Sequence, residues 1–169
     1  MQRRTVLHTA GTAALGTLLA GCGFTLRQPP QFDFATLYSS FAPGSPLGAQ
    51  FRRNLASNSS VRVITDSKQL NEADVLLDVL SDLRQKVVVG VNASGQVREF
   101  QLRLLFKFKL RRRDGTELIP ETEITQQRDL SFNEAAALAK EAEEALLYRD
   151  MEKDVVQQLL RRLSTIRVA

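Results

Sequence analysis

The sequence predicts an α+β domain, a two-layer sandwich in which a mostly antiparallel sheet of four to five strands carries two helices on one face. Three observations predict it. From Arg98 to Arg111 apolar and polar residues alternate, with Phe100, Leu102, Leu104, Phe106, Phe108 and Leu110 on one side. Gln101, Arg103, Lys107, Lys109 and Arg111 fall on the other, and only Leu105 interrupts that polar side. A period of two over this length describes a strand with one buried and one polar face. From Ala135 to Leu163 apolar residues recur at helical spacing instead. Turn signals, Asn92-Ala93-Ser94-Gly95 and Asp114-Gly115, flank the alternating strand. At roughly 3.3 Å per strand residue and about 1.5 Å per helix residue, strand and helix are each about 45 Å long, so one can cover the other.

In chain order, residues 1–21 read as a signal peptide. Arg3 and Arg4 precede an apolar run from Val6 to Ala20 that is too short for a membrane span and lacks a stop-transfer pattern. Leu19-Ala20-Gly21-Cys22 has the form of a bacterial lipobox and predicts acylation of Cys22, the chain's single cysteine. Arg3-Arg4-Thr5-Val6-Leu7 loosely fits a twin-arginine signal, although Gln2 stands where serine or threonine is usual, and the general secretory route also fits.

Residues 22–33 form a lipidated tether with Pro29-Pro30 in it, and residues 34–169 form the single domain. Phe34 to Phe41 is a first strand with Ala35, Leu37, Ser39 and Phe41 on its more apolar side. Ser45 caps a helix with Pro46 at its first position, and Leu47, Phe51 and Leu55 form its apolar stripe. Val61 to Ile64 is a short strand, and Thr65 to Asp74 a polar connection with room for a helical turn. Val75 to Val91 is a long strand, expected to place Val75, Leu77, Val79, Leu83, Val87, Val89 and Val91 on one face. Asp78, Asp82, Arg84 and Lys86 are expected on the other. Glu117 to Phe132 returns as a strand in which Pro120 marks an edge or a bulge. Ser131 and Glu134 have the spacing of a capping box for the final helix. Leu138, Ala142, Ala145, Tyr148, Met151, Val155, Leu159 and Leu163 are expected to line that helix's core side.

Composition removes most chemistry. Beyond residue 21 there are 148 residues with 21 Lys+Arg against 19 Asp+Glu, so the charge is only +2 and offers no support for a nucleic-acid partner. The only histidine, His8, lies in the signal. With Cys22 acylated, no thiol or imidazole remains for nucleophilic catalysis, and no phosphate-binding glycine motif is present. These residues predict a protein that is not an enzyme and takes no cofactor or metal.

What remains is charge. Arg103, Lys107, Lys109 and Arg111, continued by Arg112-Arg113, make a basic stripe on one strand face. It suits lipid phosphates, the acidic surface of a protein partner, or simply solvent. Lys140 opens the final helix near Arg128 and reads either as a ligand contact or as a surface lysine paired with Glu143 or Glu144.

The chain resembles the LptE family of outer-membrane lipopolysaccharide assembly. The resemblance rests on Gly21-Cys22-Gly23-Phe24-Thr25-Leu26-Arg27, on Gly95-Gln96-Val97-Arg98-Glu99-Phe100-Gln101-Leu102, and on Ala137-Leu138-Ala139-Lys140. The ending from Gln157 to Arg167 matches as well. The resemblance implies a one-to-one partnership with an LptD-like outer-membrane β-barrel, in which the domain plugs the lumen, assists barrel folding and contacts lipopolysaccharide. It implies an outer-membrane, lipid-anchored location on the periplasmic side, in keeping with Gly23 rather than aspartate after Cys22. It puts Lys140 at a basic position the family uses for lipopolysaccharide. Ala93 and Ser94 stand where the family's second cation is expected, so Arg98, Arg103, Lys107, Lys109, Arg111 and Arg128 become the other candidates. A different expectation is a periplasmic accessory lipoprotein of a lipid ABC transporter, which would remain monomeric without its anchor.

Overall fold

A computed structural model describes residues 30–58 and 60–168. Cys22 and the predicted signal lie outside them. Five strands form one sheet in the order β2-β1-β3-β4-β5, with β1 at Thr36–Ser39, β2 at Arg62–Ile64, β3 at Val75–Val91, β4 at Val97–Arg112 and β5 at Glu117–Ser131. Helix α1 spans Pro46–Asn58 and α2 spans Ala137–Ser164. The sheet is mixed: β1 runs parallel to both β2 and β3, while β3, β4 and β5 are antiparallel neighbours. The parallel part follows from the β1-α1-β2 connection, since a helical crossover returns the chain in its original direction.

The α1 entry forms as its residues predict. Ser45 Oγ accepts the Gly48 N–H at 2.9 Å, and Pro46 follows where no intrahelical N–H bond is needed. Leu47, Phe51 and Leu55 are buried in the same core as Leu102, Leu104, Phe106, Phe108 and Leu110 of β4. Phe41 ties the layers together, its ring 5.7 Å from that of Phe51 and stacked 5.5 Å from that of Phe106. Gly48 makes this approach possible, because a Cβ there would lie 2.7 Å from Phe41 Cβ. Gly95 and Gly115, both at positive φ, close the two predicted hairpins. Pro120 falls within the register shift of β5, an edge strand.

Three expectations change. The β3 face assignment holds through Val79, where Leu77 lies opposite Leu110 and Val79 opposite Phe108. A bulge between Val79 and Ser81 then inverts the strand. Beyond it Asp82, Arg84 and Lys86 lie opposite Phe106, Leu104 and Leu102, on the side covered by the helices, while Leu83 and Val87 move to the uncovered face. Second, the final helix is entered through a 3₁₀ turn at Glu134–Ala136 with Asn133 as its cap, its Oδ1 accepting the Ala135 N–H at 3.0 Å. Ser131 ends β5 and its Oγ accepts a hydrogen bond from Lys140 Nζ, so the expected capping box does not form. Third, α2 buries Tyr148, Met151, Val155, Leu159 and Leu163 as expected, but Leu138, Ala142 and Ala145 are exposed, Leu138 at 83%.

At the opposite end of the sheet Asp74 secures β1. Its carboxylate accepts the Ala35 and Thr36 N–H groups, each at 2.9 Å. Partial burial pushes the carboxyl up, but the bonds from Thr36 and Ala35 and the nearby Arg113 outweigh it and hold its pKa below the ordinary value.

Replacing Gly48 by alanine adds about 1 kcal/mol of helix propensity but forces Phe41 to move, at a cost of about 1–3 kcal/mol. A lower urea midpoint is therefore expected, and a raised midpoint contradicts the packing. Because the folded-state pKa of Asp74 is depressed, its stabilisation is present above pH 3.8 and is lost as pH falls through the folded value. The stability gap between the parent and Asp74→Asn should accordingly be widest near neutrality and shrink below that pH. A gap independent of pH contradicts this role.

Candidate functional site

The uncovered sheet face carries the predicted basic stripe. Alternate residues of β4 bring Arg103, Leu105, Lys107, Lys109 and Arg111 to it, and the flanking strands supply carboxylates. Lys107 Nζ lies 3.1 Å from Glu121 and 3.9 Å from Glu123, and these partners raise its pKa above the ordinary lysine value. Arg111 Nε donates to Asp78 at 2.7 Å. Arg103 Nε donates to Gln101 at 2.8 Å, a neutral partner. Lys109 stands opposite Asp78 in the ladder, and no ion pair to it is formed among the described residues. The stripe is therefore a charge ladder with Arg103 and Lys109 as its least neutralised cations.

The other candidates lie elsewhere. Arg98, exposed beside the β3–β4 hairpin, reaches Gln96 Oε1 only at 3.4 Å. Arg128 lies opposite Leu102 on the helix-covered side and pairs with Asp154 of α2 at 2.9 Å. Lys140 donates to Glu143 at 2.8 Å and to Ser131 Oγ at 3.0 Å, the surface pairing that its neighbours suggested. Lys140 and Arg128 thus engage separate partners and are not gathered with the stripe into one cluster.

A polar seam that sequence reasoning missed joins β3 to α2. Glu144, Tyr148 and Glu152 recur every fourth residue and so share one helix face. Arg84 pairs with Glu152, which is buried, and its guanidinium lies 5.0 Å from the Tyr148 ring centroid. Lys86 pairs with Glu144 at 2.6 Å and lies 4.3 Å from the Phe100 ring centroid. The Tyr148 hydroxyl donates to the Gln85 carbonyl at 2.8 Å, and burial raises its pKa, with Glu144 adding to the effect. The signal available in the sequence was a pair of cations two apart on a strand together with two carboxylates eight apart on a helix and a tyrosine midway between them.

A hollow of about 540 Å³ at the other end of the sheet is lined by Asp33, Asp74, Arg112 and Arg113 among others. Its polar groups already serve the fold: Asp33 accepts the Val168 N–H, Arg112 donates to the Val168 carbonyl, and Arg113 donates to the Asn71 carbonyl. Among the described residues no three ligating side chains converge as for a metal ion, and no helix is long and apolar enough to cross a membrane.

Comparison with known proteins places this architecture. The family model for lipopolysaccharide assembly, LptE, matches residues 34–163. The LPS-assembly lipoprotein LptE of Pectobacterium atrosepticum is 32% identical over 170 residues, covering 98% of this chain and 88% of that protein. The LPS-assembly lipoprotein LptE of Yersinia pestis is 30% identical over 172 residues, covering 100% of this chain and 80% of its relative. Among solved structures, lipoprotein B from Nitrosomonas europaea superposes with a TM-score of 0.70 at 33% identity, over 84% of this chain and 90% of that one. Rare lipoprotein B from Shewanella oneidensis shares the fold, with a TM-score of 0.63 at 21% identity, over 77% of this chain and 94% of that one. With the model matched across the sheet and both helices, and the relatives aligned along nearly its whole length, the chain belongs to the LptE lipopolysaccharide-assembly family.

Proposed function

We propose that this chain is a non-enzymatic outer-membrane lipoprotein that works with an LptD-like β-barrel to place lipopolysaccharide in the outer leaflet. The observation that carries this reading is the family match over residues 34–163, supported by relatives named as LPS-assembly lipoproteins that align along nearly the whole chain. In this reading residues 1–21 are removed, acylated Cys22 holds the protein at the membrane, and residues 22–33 tether the domain of residues 34–169. The acyl chains on one cysteine supply the multiple hydrophobic anchors that stable attachment needs. The domain then sits in the lumen of a single barrel partner, assists its folding and touches lipopolysaccharide.

The charge ladder ranks the candidate contacts. An incoming phosphate must compete with Glu121 and Glu123 at Lys107, with Asp78 at Arg111, with Asp154 at Arg128 and with Glu143 at Lys140. At Arg103 it displaces only a neutral amide, and at Lys109 no ion pair. Arg98 is similarly open at the hairpin. These three are the cations a phosphorylated sugar meets at least electrostatic cost, each charge-assisted bond contributing about 1.5–3 kcal/mol.

Replacing Arg103 and Lys109 together by glutamine should weaken lipopolysaccharide capture by about tenfold or more, with the unfolding midpoint nearly unchanged. Equal capture by a folded double variant removes the open face from the reading. For the partnership itself, the protein extracted from outer membranes should co-purify with a β-barrel in equal stoichiometry, identified by mass. Recovery as a free monomer from those membranes contradicts it.

A further inference from the structure

The sheet has an open edge along β3. Among the described residues β3 has neighbours on both sides only at its start: β1 reaches Val75–Leu77, and farther along β3 pairs with β4 alone. From Ser81 to Val88 its register with β4 is unbroken, between two shifts. The turn before α1 guards the near end, where Ser45 Oγ donates to Asp82 at 2.6 Å. Leu83 to Val88 remains open, a length of about 20 Å at roughly 3.3 Å per residue.

The ladder identifies which backbone groups face outward. Even-numbered residues of β4 bond toward β5, as the Arg112 N–H to Thr116 carbonyl and the Phe132 N–H to Arg98 carbonyl bonds show. Odd-numbered residues, Gln101 to Lys107, therefore bond toward β3, opposite Val87, Gln85, Leu83 and Ser81. The N–H and C=O groups of Arg84, Lys86 and Val88 are left pointing away from the sheet. Polypeptide backbone is the ligand that matches such a row of alternating donors and acceptors.

The terminal strand β5 and this open stretch of β3 are defended differently. β5 carries Pro120 and a register shift, with Glu117, Glu121, Glu123 and Asp129 along it, all features that discourage strand addition. On β3 the charges of Arg84 and Lys86 are already paired to α2, while Leu83 (46% exposed) and Val88 (48%) stand open. A second copy of the chain is a poor occupant. With the helices of both copies on one side, the antiparallel registers centred on this stretch set Arg84 or Lys86 against Arg84 or Lys86 of the other copy. Like charges directly opposite one another are destabilising.

The geometry points to Leu83–Val88 of β3 as a strand-addition site for an extended segment of a different protein. That segment presents apolar side chains beside Leu83 and Val87 and carries no cation opposite Arg84 or Lys86. Its backbone supplies the affinity, and the alternation of its side chains the register.

The probe is a capped hexapeptide, Thr-Val-Glu-Val-Thr-Val, added in millimolar excess to the full chain in detergent. Amide hydrogen exchange at Arg84, Lys86 and Val88 should slow by about tenfold, as expected when exposed amides gain partners. The same peptide N-methylated at alternate amides should give no protection. Leu83→Lys combined with Val87→Lys should abolish protection while leaving the unfolding midpoint unchanged. Protection by the N-methylated peptide, or none at these amides with the parent peptide, overturns the proposal. So does protection that appears without peptide and grows with protein concentration, since the occupant would then be a second copy.

Discussion

The bulge between Val79 and Ser81 is the constraint on which the rest of this fold depends. A strand alternates its side chains strictly, so one extra residue exchanges its two faces from that point onward. Before the bulge, Val75, Leu77 and Val79 join the apolar core beneath the helices. After it, the helix-covered side receives Asp82, Arg84 and Lys86. A helix packed over charged side chains must supply counter-charges, and α2 does so with Glu144 and Glu152, with Tyr148 between them. The same inversion delivers Leu83 and Val87 to the uncovered face beside Leu105 and Gln101.

One consequence is a graded interface between the layers. The C-terminal half of α2, from Met151 to Leu163, packs on apolar residues of the sheet. Its N-terminal half meets cations and aromatic rings, and Leu138 and Leu146 remain exposed there. Exposed apolar residues at this end are joined by Val88, Val89 and Val91 of β3, so the hairpin end is the less completed part of the molecule. The opposite end is tied more firmly, with Asp33 and Arg112 holding Val168, and Asp74 holding β1.

The alternation of β4 was plain in the sequence because β4 lies between two long strands and keeps one side turned to the helices throughout. The α1 cap, both hairpins and the Pro120 edge were equally local, each set by one or two residues with a fixed backbone preference. The inversion of β3 was not legible, since Val79-Leu80-Ser81 contains neither glycine nor proline and the valines beyond it keep a period of two. The wrong face for Arg84 and Lys86 followed directly. So did the reading of Leu138, Ala142 and Ala145 as core, because helical periodicity records a stripe but not where the sheet beneath it stops being apolar. The basic stripe was found correctly as residues but not as an environment. Its neutralisation depends on Glu121, Glu123 and Asp78, which reach it only through strand pairing.

For a member of a lipopolysaccharide-assembly family, this arrangement separates two kinds of surface. The open face holds its cations in a ladder of carboxylate and amide partners. The seam under α2 uses its cations for structure. A double-mutant cycle on Arg84→Met and Glu152→Gln tests that division most directly. The account predicts a favourable coupling on the order of 1 kcal/mol in unfolding free energy, reduced by the partial exposure of the arginine. Additive effects with no coupling would contradict the Arg84–Glu152 pairing beneath α2 on which this division rests.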